Sequence, residues 1–484
     1  MNTDASWPDL YESRTRVLEI QTKLHRWATA DRGRRFDDLY NLVTDPAFLI
    51  VAWERVHTNT GGRTAGVDGI TAHLVRALDR EREFLTELRT DLKDGSFRPL
   101  PVRERMIPKA GGKLRRLGIP TVRDRVAQAA LKLVLEPIFE ADFHPCSYGF
   151  RPKRRAQDAI AEIHFLNSGT RKYEWVLEAD IEACFDSIDH TALMDRVRQR
   201  IGDKRVLRLV KAFLKAGIFT ADRIRVNSNA GTPQGGILSP LLANIALSVL
   251  DDHFAEQQRQ EMATATQRAK RKRHGLGNWR LVRYADDFVV LVSGTRAHAE
   301  ALQVQVATVL TPMGLRLSPA KTQVVHINEG FVFLGWHIQR RRKRGTVSQY
   351  HVYTWPSKKS LKSIMVRIRQ LTHHRAPHRD LFHLLLRLNA ALRGWCNYFR
   401  HGVSSRTFSY LSHYSWHKVT RWIRRRHHGI TWKQLWRRFL LPGGKPAHNG
   451  VIMYSPQEDM PITRYRYRGN TIPTPWTVTT PTTA

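Results

Sequence analysis

The chain has 484 residues, 42% of them hydrophobic, enough to bury several cores and to form several domains. Lys and Arg number 79 against 43 Asp and Glu, a formal net charge of +36, and so strong a self-repulsion suits a polyanionic partner: nucleic acid first, an anionic membrane surface as its competitor. No run of about 18 apolar residues and no basic start followed by an apolar stretch appears, which excludes a spanning helix and a secretory signal and predicts an intracellular protein. The three cysteines, Cys146, Cys184 and Cys396, lie far apart, which excludes a Cys-x-x-Cys zinc site and argues against a disulfide framework.

In chain order, residues 1–65 read as helix: Leu18, Leu24 and Trp27, then Phe36, Leu39, Leu42 and Val43, recur at helical spacing among charges. Residues 173–180, Tyr-Glu-Trp-Val-Leu-Glu-Ala-Asp, predict a strand that ends on Asp180, and a helix is expected between Asp189 and Ile201. Gly231-Thr232-Pro233-Gln234-Gly235-Gly236 makes a loop with little side-chain bulk, so backbone can approach a flat ligand there while Gln234 offers an amide. Ser239 and Pro240 read as the N-cap and first residue of an apolar helix. Residues 256–278 read as helix continuing into a solvated loop, and Lys270-Arg271-Lys272-Arg273-His274 within them is either a phosphate contact or an exposed charge run. The apolar runs 279–283 and 288–292 flank Tyr284-Ala285-Asp286-Asp287, the pattern of two short strands joined by a turn.

Beyond residue 345 the pattern changes to helices. Leu361, Ile364, Ile368 and Leu371 share one face, and Leu381, Leu384, Leu385, Leu388, Leu392, Trp395 and Phe399 share another; a small helical bundle buries both, with Lys362, Arg367, Arg369 and Arg387 outside. Over residues 413–440 tryptophans alternate with basic residues, among them Arg424, Arg425 and Arg426. Such a stretch either stacks unpaired bases and holds phosphate, or is a helical hairpin with tryptophans inside and arginines outside. His373-His374 and His427-His428 lack zinc-site spacing and partners, and read as polar surface. Residues 469–484, rich in Thr and Pro, have too little apolar content to fold alone and are expected to be disordered or pinned by another surface.

One sheet can bring Asp180 beside Asp286 and Asp287. Three carboxylates at one point repel strongly unless cations sit between them. A pair of Mg²⁺ ions ~3.5–4 Å apart, clamping the attacking and leaving oxygens of an in-line displacement, is the usual reason for such a cluster. The implied reaction is nucleotidyl transfer. An Asp-Asp pair between strands is also a common solvated turn, so the surrounding motifs decide.

Those motifs are Thr64-Ala65-Gly66-Val67-Asp68-Gly69, residues 107–120 with their Gly111-Gly112 turn, Ser147-Tyr148-Gly149-Phe150-Arg151-Pro152, Ala179-Asp180-Ile181-Glu182-Ala183-Cys184-Phe185-Asp186, the Pro-Gln-Gly-Gly loop, Tyr-Ala-Asp-Asp, Leu317-Ser318-Pro319-Ala320-Lys321-Thr322 and Phe333-Leu334-Gly335-Trp336. In this order they resemble the reverse transcriptase and maturase proteins of bacterial group II introns, over residues 64–401. The resemblance implies an α+β right-hand polymerase, fingers and palm with antiparallel sheet, followed by an α-helical thumb or maturase domain. It implies an RNA-contacting N-terminal extension over 1–65, fingers over 66–170, palm over 171–345, thumb over 346–405, a basic aromatic-rich helical region over 406–468 and the tail over 469–484.

It further implies that Asp180, Asp286 and Asp287, with the carbonyl of Ile181, hold two Mg²⁺ ions, and that Phe185 is the aromatic gate disfavouring a 2′-hydroxyl. Lys109 and Arg115 would hold the triphosphate, Arg151 would lie near template and nucleotide, Gln234 against the nascent pair, and Lys321 near the leaving pyrophosphate or merely at the surface. Arg340, Arg341, Arg342, Lys343 and Arg344 join Arg424, Arg425 and Arg426 as candidate RNA contacts.

The implied activity is RNA-directed DNA synthesis from deoxynucleoside triphosphates on a DNA primer or target. A second role is expected as a splicing maturase on group II intron RNA or another structured RNA, in the bacterial cytoplasm beside the nucleoid. No His-Asn-His nuclease is expected at the C-terminus, so intron mobility would borrow a nick or fork end as primer. Two other readings share the motifs: an RNA-binding splicing factor with an idle polymerase site, and a polymerase recruited to antiviral or CRISPR-type defence.

Overall fold

The computed structural model describes residues 7–108, 114–168, 172–220, 230–343, 345–373, 376, 380–469 and 472–477, with the backbone alone of 225–226. Lys109, the Gly111-Gly112 turn, Arg344 and His374 lie outside the described residues. No helix among those described is long and apolar enough to cross a membrane.

The N-terminal region is helical. Helix Leu10–Ala30 begins with a capping box, Asp9 accepting from the Glu12 amide at 2.8 Å, and helix Pro46–Thr58 begins with proline behind an Asp45 cap. Both pack on helix Val122–Glu140, which is buried along nearly its whole length. Beside it strands β1 (Val102–Pro108) and β2 (Leu114–Ile119) form a hairpin that continues through two-residue strands β4 (Ile218–Phe219) and β5 (Arg225–Val226), in the order β2-β1-β4-β5.

A second sheet, β6-β7-β3-β8, is built from β3 (Trp175–Asp180), β6 (Asn278–Tyr284), β7 (Asp287–Ser293) and β8 (Gln323–His326), all antiparallel neighbours. Its central strands are covered on both faces, which explains the unbroken apolar run of β7. Leu177, Ala179, Phe288, Val290 and Val292 face one core with helices Ser239–Glu261 and Arg296–Leu310. Val176, Val289 and Leu291 face another, with helix Ala156–Asn167 and the C-terminal helices.

Three local expectations change, and the tail takes the second of its two expected forms. Residues 346–405 are not all helix: β9 (Phe331–Phe333), β10 (Trp336–Arg342) and β11 (Tyr350–Pro356) form a three-stranded sheet ahead of helices Lys358–Leu371, Leu381–Phe399 and Ser405–Arg426. Alternation of buried Val352 and Thr354 with more exposed Tyr353 and Trp355 is the strand signal there. Residues 256–278 contain a break and a second helix, Ala265–Arg273, started by a Thr264–Gln267 capping box. Ser239 is the first helical residue, not the cap; its hydroxyl donates to the Pro233 carbonyl at 2.8 Å. In the Thr/Pro tail, residues 472–477 are packed, with Ile472 and Trp476 buried and Trp476 Nε1 donating to Gln21 of the first helix at 3.2 Å. Two large apolar side chains suffice to dock a stretch that cannot fold alone.

The path to that contact is a strap. Arg468 forms an ion pair with buried Asp158 at 2.6 Å, the Tyr465 hydroxyl donates to Asp158 at 2.8 Å, and Tyr467 stacks on Phe165 with ring centroids 4.6 Å apart. It ties residues following the C-terminal helices to helix Ala156–Asn167 and then to Leu10–Ala30.

Candidate active site

The register of β3 against β7 sets the site. Asp180 is the direct antiparallel partner of Asp287, so the two side chains share a sheet face, and the Tyr284–Asp287 pair closes a two-residue turn of Ala285 and Asp286. Ala285 takes φ of 57°, the positive value that tight hairpins need. Burial, then the charge of Asp180, raises the Asp286 carboxyl above the usual range; burial, then Asp286 and Asp180, pushes Asp287 up to about 6. Both shifts come from burial first and from neighbouring negative charge second, and added positive charge relieves them.

Lys321 supplies some. Its ammonium sits 2.5 Å from Asp180 Oδ2, at the carboxylates themselves. A backbone bridge between Ile181 and Leu317 holds the two segments together. Among the described residues no group of three Asp, Glu, His or Cys side chains stands at metal-ligand spacing. The carboxylates nevertheless fit a hard divalent cation by chemistry: they are oxygen donors, and burial and mutual repulsion favour neutralisation.

The turn is braced from below by groups the motifs do not announce. Arg283 is fully buried and ion-paired with buried Asp251, donating through Nε to Oδ1 at 2.7 Å. Its Nη1 reaches the Ala285 carbonyl and Asn244 Oδ1, each at 3.0 Å. Ser147 and Tyr148 run beside β6, the Tyr148 amide donating to the Arg283 carbonyl at 2.8 Å. Gly149 lies so close under Ala285 that any Cβ would collide with its amide nitrogen. The Ser-Tyr-Gly-Phe-Arg-Pro motif is thus a strut for the Tyr284–Asp287 turn.

That reading corrects Arg151. Its guanidinium is buried, bound to Glu140 at 2.7 Å and to the carbonyls of His144 and Ser147 at 2.6 and 2.8 Å, so it faces the interior and not a nucleotide. An arginine in a motif looks the same whether its partner is a ligand or a distant glutamate. Glu140 is the partner, and only the fold reveals it.

Phe185 is 8% exposed and lies beneath the Pro-Gln-Gly-Gly loop. The Thr232 amide donates to the Phe185 carbonyl at 2.6 Å, and a Cβ on Gly231 would come within 2.6 Å of that oxygen. At the loop's other end the Gln234 carbonyl accepts from Gly118 at 2.7 Å and its side-chain oxygen from Arg115 Nε at 2.8 Å. Arg115 is close enough to Asp286 to lower its pKa. Arg115 is thus tied to the Pro-Gln-Gly-Gly loop and near Asp286, while Lys321 lies on Asp180.

A cavity of about 910 Å³ opens from Asp180, Asp287 and Lys321 toward Arg341, Trp355 and Lys358. The last two were missed at the sequence level; their signal is the strand-to-helix run Trp355-Pro356-Ser357-Lys358. Arg340 instead pairs with Glu174 and Asn328, Arg342 is exposed, and Lys343 lies 3.5 Å from Gln349. Arg424 lies over Trp432 and Arg426 over Trp422, while Arg425 is exposed.

Comparison with known proteins places the chain in a family. Residues 107–338 match the family model for reverse transcriptase (RNA-dependent DNA polymerase), and residues 361–440 match the group II intron, maturase-specific domain. Protein YkfC of Escherichia coli is 39% identical over 345 residues, covering 68% of this chain and 90% of that protein. Group II intron-encoded protein LtrA of Lactococcus lactis is 32% identical over 359 residues, 65% of this chain and 58% of LtrA. The chain belongs to the family of group II intron reverse transcriptases and maturases, whose enzyme class is RNA-directed DNA polymerase.

Proposed function

We propose that the chain copies RNA into DNA at the space enclosed by Asp180, Asp286, Asp287, Phe185, Gln234 and Arg115, and that it also binds intron RNA as a maturase. The observation that carries the polymerase reading is the register pairing of Asp180 with Asp287, with Asp286 on the adjoining turn. Two Mg²⁺ ions held by these carboxylates and the Ile181 carbonyl would lower the pKa of a primer 3′-hydroxyl and neutralise the departing pyrophosphate. The protein's own groups do the rest: Arg115, with Lys109, attracts the triphosphate, Gln234 anchors Arg115 against the loop, and Phe185 closes the floor beneath the sugar. Lys321, now paired with Asp180, would be the cation available to the departing pyrophosphate. On the maturase side, the excess positive charge neutralises RNA phosphates and stabilises a folded intron without protein chemistry.

The test is primer extension on an RNA template. Asp286→Asn is expected to abolish synthesis while leaving RNA binding nearly intact, because it removes a metal ligand and no phosphate contact. Synthesis at the wild-type rate in that variant, with Mg²⁺ present, would sink the assignment.

A further inference from the structure

At the end of the palm sheet away from the catalytic turn lies a cavity of about 530 Å³, between helices Ala156–Asn167 and Ala265–Arg273 where β6 begins. Arg268 and Lys272 reach it from one helix face, four residues apart. Asn278 and Arg280 reach it from one face of β6, two residues apart. Phe165 and Tyr173 add aromatic rings, and no carboxylate among the described residues lines the space.

The cations there are unequal. Arg268 donates to the Met262 and Ala263 carbonyls at 2.7 and 2.9 Å, which fixes it in place. Arg271, on another face, binds the Gly277 carbonyl and Glu261. Lys272 is exposed at the rim, while Arg280 Nη1 and Asn278 Oδ1 are buried with no hydrogen-bond partner among the described residues. Buried polar groups are normally paired, so an orphan donor beside an orphan acceptor marks a place that a ligand completes. Glu162, which accepts from the Tyr148 hydroxyl at 2.6 Å, is a carboxylate whose charge Arg280 favours, though burial pushes its carboxyl up to about 7.

We infer that this cavity receives one unpaired nucleotide of a bound RNA, its phosphate on Arg280 and Lys272 and its base against the rings of Phe165 and Tyr173. The volume falls within the roughly 300–1,000 Å³ of small-ligand sites, and aromatic rings beside free guanidinium donors are the chemistry that single-stranded RNA selects. Strand β6 separates the cavity from the catalytic turn by roughly 20 Å, so the nucleotide held here belongs to a different part of the RNA than the templating base. The inference rests on the reading of the chain as an RNA-binding polymerase, and it assigns to Lys272 the role that the basic run 270–274 left open.

A thiouridine-substituted RNA stem-loop with a single-stranded extension, photocrosslinked and mapped by mass spectrometry, tests it. Crosslinks are expected on peptides holding Phe165 or Tyr173, and Arg280→Gln with Lys272→Gln should remove them and lower the log–log salt slope of binding by about 1. Lys272→Gln alone, at the exposed rim, gives the slope reading if the double variant melts early. Unchanged crosslinks and slope overturn the proposal, as does adenosine monophosphate displacing the crosslink while the RNA stays bound, since the cavity would then take a free nucleotide. Extension of a short pre-annealed primer at saturating protein should be unaffected by these variants. A wild-type protein that extends no primer refutes the polymerase reading separately from the crosslink result.

Discussion

Single residues divide here into those that meet substrate and those that hold them in place. Phe185 belongs to the first group in our reading: Phe185→Ala should open space for a 2′-hydroxyl and raise ribonucleotide use relative to deoxyribonucleotide use in single-nucleotide incorporation, and an unchanged ratio puts the gate elsewhere. Arg283 belongs to the second. Arg283→Met strands Asp251 without its charge partner, a change expected to cost about 3–5 kcal/mol in denaturant unfolding, and Asp251→Leu added to it should recover much of the loss. The sequence carries the aspartates openly because each ends or joins an apolar strand run and sits within an ordered set of motifs. It hides Arg283 and Arg151, since their partners, Asp251 and Glu140, lie outside the motifs that contain them.

At the scale of elements, helix Ala156–Asn167 links the Tyr284–Asp287 turn, through Tyr148, to the strap, and its buried Glu162 makes it sensitive to pH. Burial raises this carboxyl from 4.5 to about 7, so across that window the folded chain keeps a proton that the unfolded chain has lost. Its contribution to stability therefore falls as pH rises from 4.5 to 7. Glu162→Gln should remove that slope, and urea midpoints should show the variant gaining on the wild type as pH increases; parallel profiles would mean that Glu162 is already ionised. The strands β3, β6 and β7 were legible because apolar runs end in charged or turn residues. Strand β11 was not, because the leucine stripes that follow it dominate the pattern. The break between helices Ser239–Glu261 and Ala265–Arg273 escaped for another reason: both sides are polar, so no change of periodicity marks it.

For the whole molecule the governing quantity is the charge of +36 and where it can meet phosphate. Charge reversal of Arg424, Arg425 and Arg426 to Glu should weaken structured-RNA binding and flatten its salt dependence, while extension on a short annealed template suffers much less; wild-type affinity and slope would make the run a solvated face. The family and a mixed α/β architecture were readable at this scale because the motifs stand in a fixed order, whereas the docking of the tail on the first helix was not, since nothing local announces a partner so remote. That docking has a consequence for synthesis. The Trp476–Gln21 hydrogen bond spans a separation of 455 residues, so a ribosome adding ~5–20 residues per second makes the first helix wait on the order of a minute for its last neighbour. Gln21 already donates to the Leu133 carbonyl at 2.7 Å, which lets the helix dock early and leaves its amide oxygen facing water until Trp476 emerges. The nascent chain is in this sense a ring that closes last at its seam, and a messenger interrupted late in the reading frame would release a protein complete in its catalytic sheet and open at that join.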